Sequence, residues 1–505
     1  MTDGLGLEDA YGATLERIKA QGGQKCRLGM MALMWICHSE RPMGAEELCQ
    51  ALGVKIGLAH CNDDNVPSMR TVLSCCQGFV VVDKEGSTVR LIHYTLQEYL
   101  TSHRHLFESP HSTIAETCLT YLSSHQVMAL SGSRILKAQC PPFLEYSSLY
   151  WGVHLKRELS NRGKTLALKL FSHYQCHISI WLLLEHALPW YYIHSNRDFY
   201  GFTGLHYASM FGLVEVARAL IIMDGVDING VDETGTTPLS WAVRSESEAA
   251  VKFLLRLEGV DPNKPDNLGR TPISWTAGKG HEAAVKLLLG CQDVNPDKPD
   301  YFDQTPILWA ASNGHEAVVK LLLGRQDVNP DNPDDDGRTP IWWAASNGHE
   351  AVVKLLLGRQ DVNPDKRDNR GQTPISWAAS NGHEAVVKLL LGRQDVNPDK
   401  PDNFGQTPIS WAASNGHGAV VKLLLGRQDV NPDKPDNGGQ TPISWAAENG
   451  HEAVVKLLLG RQDVNPDKPD NGGQTPILWA AENGHEAVAK LLREREDTNA
   501  NRLNI

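Results

Sequence analysis

Thr407-Pro408-Ile409-Ser410-Trp411-Ala412-Ala413-Ser414-Asn415-Gly416-His417-Gly418-Ala419-Val420-Val421-Lys422-Leu423-Leu424-Leu425-Gly426-Arg427-Gln428-Asp429-Val430-Asn431-Pro432-Asp433-Lys434-Pro435-Asp436-Asn437-Gly438-Gly439-Gln440 decides the fold of this 505-residue chain. Thr407 is a helix-capping residue, and Pro408 suits a first helical turn, where its missing N–H costs nothing. Ile409, Ala412 and Ala413 form a small apolar face at helical spacing. Asn415-Gly416 ends that helix, because glycine accepts the left-handed conformation that a helix terminus requires. Val420, Val421, Leu423, Leu424 and Leu425 build a second, more apolar helix. Asp429–Gly439, with three aspartates, two prolines and a Gly-Gly pair, is a turn.

The same unit recurs every 34 residues, with Thr-Pro at Thr237, Thr271, Thr305, Thr339, Thr373, Thr407, Thr441 and Thr475. A divergent ninth copy begins one period earlier, as Thr203-Gly204-Leu205-His206-Tyr207-Ala208. Period alone does not name the fold, since tetratricopeptide repeats have the same length. The Pro/Asp/Gly block over a third of each period excludes them. The pattern resembles the ankyrin repeat, whose core reads Thr-Pro-Leu-His-x-Ala-Ala, then Gly-His, Leu-Leu and Asp-Val-Asn. The resemblance covers about residues 200–505 and implies an α-helical solenoid of about nine repeats that binds proteins through its turn tips and the concave face of its first helices. The family histidine survives as His206 and is replaced by Ser240, Ser274, Leu308, Trp342, Ser376, Ser410, Ser444 and Leu478. Its hydrogen bonds between neighbouring repeats are therefore lost or remade.

Stacked repeats share a core and need polar ends. Arg493-Glu494-Arg495-Glu496-Asp497 supplies one end, and the aromatic-rich segment around Leu166–Leu188 is expected to cap the other. One tryptophan per repeat, from Trp241 through Trp275, Trp309, Trp343, Trp377, Trp411 and Trp445 to Trp479, forms a column. It serves either as packing between adjacent first helices or as an exposed aromatic stripe for a partner. The Asp-Val-Asn-Pro-Asp turn has a faint likeness to a calcium loop, but Lys434 and Gln440 stand where such a loop needs glycine and glutamate, so solvated turn chemistry is expected.

Between otherwise near-identical copies one turn position varies: Leu268, Phe302, Asp336, Arg370, Phe404, Gly438 and Gly472. Its companion is Arg270, Gln304, Arg338, Gln372, Gln406, Gln440 and Gln474. Leu268, Phe302, Asp336, Arg370 and Phe404, with Arg270 and Arg338, are the candidate partner-binding residues, because aromatic and arginine side chains dominate interface energies. Drift at a solvent position is the alternative.

Residues 1–110 read as a compact helical domain with a hairpin. Helices are expected at Leu7–Ile18, Leu28–Cys37, Ala45–Leu52, Met69–Cys76 and Leu96–Leu100, and strands at Phe79–Val82 and Thr88–Ile92 around a turn at Asp83–Ser87. Leu7-Glu8-Asp9-Ala10-Tyr11, Arg41-Pro42 with Glu46-Glu47-Leu48, and Arg90-Leu91-Ile92-His93 with Glu98-Tyr99-Leu100 resemble the winged-helix segment behind the NACHT ATPase of fungal STAND proteins, which are NLR-like. Phe143–Leu159 resembles the linker that follows it, so 111–200 is assigned to a helical linker and N-terminal cap and 201–505 to the array. No G-x-x-x-x-G-K-[ST] motif occurs. The chain is expected to be either part of a longer nucleotide-switched protein or a stand-alone sensor and linker. His93 falls where such winged helices approach nucleotide; without a P-loop an ordinary packed histidine is expected.

A net charge of −12 gives no general attraction to nucleic acid or anionic lipid. Residues 1–110 carry ten basic and thirteen acidic side chains, with no Lys/Arg stripe, so direct DNA contact is not expected. Ten cysteines without zinc spacing read as buried reduced thiols. Neither a signal peptide nor an apolar span is expected, nor a cofactor, metal or catalytic residue. The expected role is a non-catalytic scaffold or sensor arm in the cytoplasm, with unknown protein partners. A transcription coregulator acting through protein partners in the nucleus is the alternative.

Overall fold

The computed structural model describes residues 6–58, 63–83, 87–130, 140–172, 179, 182–183, 201–223 and 225–503. The chain divides into two compact units, Met1–Asp261 and Pro262–Ile505. Both are helical, and together they hold a tandem repeat array preceded by an N-terminal winged-helix domain.

The first unit begins with α1 (Leu7–Ala20), α2 (Gly23–His38), β1 (Met43–Gly44), α3 (Ala45–Gly53) and α4 (Met69–Cys75). β2 (Val80–Val82) and β3 (Thr88–Leu91) follow, then α5 (Tyr94–Ser102). The three strands form an antiparallel sheet in the order β1-β3-β2. β1 was not evident in the sequence: two residues are too few for a period-two signal, and only pairing of Met43 with Val89 makes them a strand. α2 lies at the centre, with Ala32, Leu33 and Trp35 fully buried. Gly29 permits its close approach to α4, since a Cβ there would lie 2.7 Å from the carbonyl oxygen of Cys75.

The unit continues with α6 (Pro110–Leu122), α7 (His125–Leu130), α8 (Pro142–Arg157) and α9 (Asn161–Phe171). Trp35 packs edge-on against Phe143 and Tyr146 of α8, joining the winged-helix part and the linker in one core. Two repeats complete the unit, with helices Gly204–Phe211 and Val214–Ile222, then Pro238–Arg244 and Glu248–Leu254. Trp151 of α8 stacks on Tyr207 of the first repeat, with centroids 4.4 Å apart, and Phe171 of α9 packs against both rings. The described part of the expected cap is thus α9, assisted by α8; most of 173–188 lies outside the described residues.

The second unit holds seven helix pairs, from Pro272–Lys279 with Glu282–Leu289 to Pro476–Glu482 with Glu486–Leu503. In the copy that starts at Thr407, that threonine caps the helix Pro408–Ser414 by accepting the Ser410 N–H. Ile409, Ala412, Ala413, Val420, Val421 and Leu424 are fully buried, whereas Leu423 and Leu425 are only partly so. The left-handed Gly416 (φ 77°) also makes room for the next repeat: a Cβ there would lie 2.6 Å from Nδ1 of His451. The last helix carries the polar residues after Leu492 onward to Leu503.

Of the ten cysteines, eight are described and all are free thiols, five of them buried; Cys61 and Cys176 lie outside the described residues. Burial pushes Cys37 and Cys76 up to about 12 and Cys118 well above its ordinary value, which keeps them un-ionised and unreactive. Among the described residues, no helix is long and apolar enough to cross a membrane. His93 departs from the packed residue expected: it is exposed, its Nδ1 caps α5 by accepting the Thr95 N–H, and its ring lies beside that of Tyr94.

Candidate interaction surface

Each described turn ahead of a Thr-Pro pair is built around one aspartate, buried in all but the last two, where Asp436 and Asp470 are half-buried. In the turn ahead of Thr407, Asp402 Oδ1 accepts the N–H groups of Phe404 and Gln406, both at 2.9 Å. Its Oδ2 accepts Nε1–H of Trp411 at 3.1 Å. The same bracket joins Asp266 to Trp275, Asp300 to Trp309, Asp334 to Trp343, Asp368 to Trp377, Asp436 to Trp445 and Asp470 to Trp479. In the first unit Trp241 holds Asp232 in this way at 2.7 Å. The tryptophan column therefore fits neither sequence reading alone. In the second unit its rings are half-buried, and each indole clamps the aspartate that shapes the turn of its own repeat. The signal was present as an Asp to Trp spacing of nine residues in all eight Thr-Pro copies.

The remaining turn aspartates diverge to separate partners, unlike the converging ligands of a calcium loop. Asp429 pairs with Arg427 at 2.7 Å, and that guanidinium holds its carboxyl below the usual range. Asp433 accepts from Lys468 of the next repeat at 3.2 Å. The lysine also reaches the Asp433 carbonyl oxygen, so this contact staples one turn to its neighbour.

Other bonds between repeats replace those of the family histidine. His206 still makes them: Nδ1 accepts the Thr203 N–H at 3.0 Å, and Nε2–H faces the carbonyl oxygens of Gly230 and Thr236, each at 3.1 Å. Burial pushes its pKa below the ordinary imidazole range, so it is neutral. Ser410, at the equivalent position, reaches only Thr407 of its own repeat. Repeats are linked here in the other direction, by His417, whose Nε2–H donates to the Ser380 carbonyl oxygen of the preceding repeat at 2.9 Å, and by Asn415, which donates to the same oxygen at 2.8 Å. The recurrent serines beside tryptophan are buried and serve as cap partners, as Ser240, Ser274, Ser376, Ser410 and Ser444 all show.

Within this frame the variable residues form a row. The carbonyl oxygen of Leu268 accepts the N–H of Tyr301, that of Phe302 accepts from Asp335, and that of Asp336 from Asn369. Arg370 and Phe404 accept from Asn403 and Asn437 in the same manner. One backbone bond per repeat thus holds successive tips in register.

Residues 170–502 match the family described as Ankyrin repeats (3 copies), in overlapping stretches 170–266, 205–300, 239–334, 273–368, 307–402, 353–436, 391–469 and 428–502. This chain belongs to the ankyrin-repeat family. Residues 15–112 match a second family, described as GPI inositol-deacylase, winged helix domain. No curated protein matches the chain. Ankyrin repeats mediate protein–protein interactions, and their architecture is typically non-catalytic.

On this ankyrin array the candidate residues fall into two groups. Phe302 and Phe404 are 53% and 63% exposed, Asp336 and Arg370 are exposed, and Leu268 is partly buried. Arg270 and Arg338 instead fold onto their own repeats. Arg270 pairs with Asp266 at 3.0 Å and lies 4.0 Å from the centroid of the Trp275 ring. Arg338 pairs with Asp334 at 3.0 Å and lies over Trp343 and Trp342. Both reinforce the bracket through charge and cation–π contact. Tyr301, 69% exposed and adjacent to Phe302, joins the exposed tips although it was not among the sequence candidates. Its signal was an aromatic residue where the other copies have Asn267, Asp335, Asn369, Asn403, Asn437 and Asn471. Along the row the tips run from apolar (Leu268, Tyr301, Phe302) through acidic (Asp303, Asp335, Asp336) and basic (Arg370) to apolar again (Phe404).

Proposed function

We propose that this chain is a non-catalytic interaction scaffold that serves as the sensor arm of an NLR-like STAND protein of the fungal type, and that it works in the cytoplasm. The observation that carries the reading is the row of tips: the side chains that differ between near-identical ankyrin repeats project together from turns whose backbones are fixed. Rigid presentation lowers the ordering cost of binding, and exposed aromatic side chains supply anchors. A winged helix of the type associated with NACHT ATPases, ahead of the array, supports the STAND context. The partner is a protein rather than a nucleic acid or a membrane, in keeping with the net charge of −12.

The test is quantitative proximity labelling with the full chain, comparing wild type, the double variant Phe302→Ser with Phe404→Ser, and Lys422→Ser on an exposed helix face. The expected result is a prey set depleted more than about tenfold by the tip variant, the effect of losing one or two anchors of about 1–2 kcal/mol each, and retained by Lys422→Ser. Equal prey sets for all three would overturn the assignment of the tips. A catalytic activity abolished by one point substitution in the purified chain would overturn the non-catalytic reading.

A further inference from the structure

Three residues far apart in sequence converge in the first unit: Glu40 after α2, His111 at the start of α6 and His154 near the end of α8. One ligating atom from each lies within 4.8 Å of the others. The Nδ1 atoms of His111 and His154 are 2.8 Å apart. His154 is fully buried, and its Nε2 bonds to Tyr146 Oη at 2.9 Å, which in turn accepts the N–H of Glu40 at 3.1 Å. The two imidazoles face each other through Nδ1 across their hydrogen bond, while Nε2 of the buried ring is fixed by the phenol and lies 4.0 Å from Glu40 Oε1. That is the arrangement of a metal-ligating histidine with its orienting outer partner.

We propose that Glu40, His111 and His154 form a structural binding site for a transition-metal dication, Zn²⁺ by the chemistry of its donors. Two imidazole nitrogens and one carboxylate oxygen suit a borderline-soft ion, and they exclude Ca²⁺ and Mg²⁺, which take mainly oxygen ligands. Tetrahedral coordination at about 2.0–2.1 Å separates two nitrogen ligands by about 3.3 Å. Admitting the ion therefore widens the imidazole pair by roughly 0.5 Å, a small rotation of the half-buried His111 ring. Arg157 now holds Glu40, with Nη2 donating to Oε2 at 2.9 Å. Its side chain is 48% exposed and can withdraw into solvent when the carboxylate turns to the metal. The bound ion fastens the end of α2 to α6 and α8, so it locks the winged-helix part to the linker helices of the same unit.

The test uses the full chain, stripped with chelator and titrated with Co²⁺, then back-titrated with Zn²⁺. The expected result is one equivalent of Co²⁺ with ligand-field absorption and without a thiolate charge-transfer band, displaced by Zn²⁺. Glu40→Gln and His111→Ala lower the affinity by more than roughly a hundredfold, beyond the effect of losing an outer partner. Circular dichroism confirms that both remain folded, as expected for side chains that are not fully buried. Arg157→Ala removes the competitor for Glu40 and tightens binding, which a purely structural role for the cluster would not produce. A thiolate band, an absence of stoichiometric binding, or equal affinity in wild type and His111→Ala would each overturn the proposal.

Discussion

Replacing Trp411 with phenylalanine isolates the indole bracket. The substitution keeps an aromatic ring beside the turn but removes the Nε1–H that lies 3.1 Å from Asp402 Oδ2. Asp402 is buried at 6% exposure, so its second oxygen loses a donor that water cannot readily replace. A hydrogen bond to a charged group contributes about 1.5–3 kcal/mol, and the smaller ring forfeits roughly a further 0.5–1 kcal/mol of apolar burial. The cost is borne by the turn, because Asp402 Oδ1 simultaneously holds the amides of Phe404 and Gln406. Contacts in a repeat array are mainly nearest-neighbour, so the opening is local. Peptide-resolved hydrogen exchange is the assay, and residues 401–411 can be followed because only this turn reads Asp-Asn-Phe-Gly-Gln. Protection there should fall by about thirty- to several hundredfold, at one factor of ten per 1.4 kcal/mol. The equivalent turn around Asp436, with the same two amide bonds, is the internal control. Asp402→Asn should cost a comparable amount, since the amide nitrogen then faces the indole N–H, and the double variant should cost less than the sum of the two. Exchange in 401–411 changed by less than about twofold would refute the reasoning and leave the column a packing feature alone.

The staple between turns has a gap at Asn332, where Lys366, Lys400, Lys434 and Lys468 stand in later copies and bond the preceding aspartate. Asp297, left with the Asn332 amide at 2.9 Å, is pushed up to about 6, chiefly by burial and also by the charge of Asp327, against hydrogen bonding from the Asn329 backbone. A raised folded value means that its contribution is fully present below the unfolded pKa and is lost as pH rises through about 6. Asn332→Lys should therefore stabilise the second unit by about 1 kcal/mol at pH 7, discounted for a half-exposed group, and abolish the gain seen on acidifying from pH 7 to 5; urea melts at both values check it. Deleting residues 373–406 removes one whole period and rejoins Gln372 to Thr407, as Gln406 joins it now, so the shortened chain should stay soluble and helical by circular dichroism. Loss of the helical signal would count against nearest-neighbour folding.

The sequence by itself determined the helix pair, its period and its core. Thr407, Pro408, Asn415 and Gly416 act locally, through caps and backbone preferences, and Ile409, Val421 and Leu424 follow the helical period, so their roles depend on little beyond their own repeat. The row of variable tips was legible for the same reason, as positions that differ where everything around them repeats. What the tertiary structure decided is which atoms meet. Arg270 and Phe302 looked alike as anchors, but one folds over Trp275 and the other projects. His417 rather than Ser410 links stacked repeats, because stacking brings its imidazole within reach of a carbonyl in the preceding repeat while Ser410 stays within its own. Two residues at Met43–Gly44 became a strand only when β3 arrived beside them. Glu40, His111 and His154 carry no shared spacing at all; helix packing in the first unit brings them together. A period reports residue types at intervals along the chain, whereas a contact depends on the rotation and rise between packed elements, and those are set by the volumes of the side chains that fill the core.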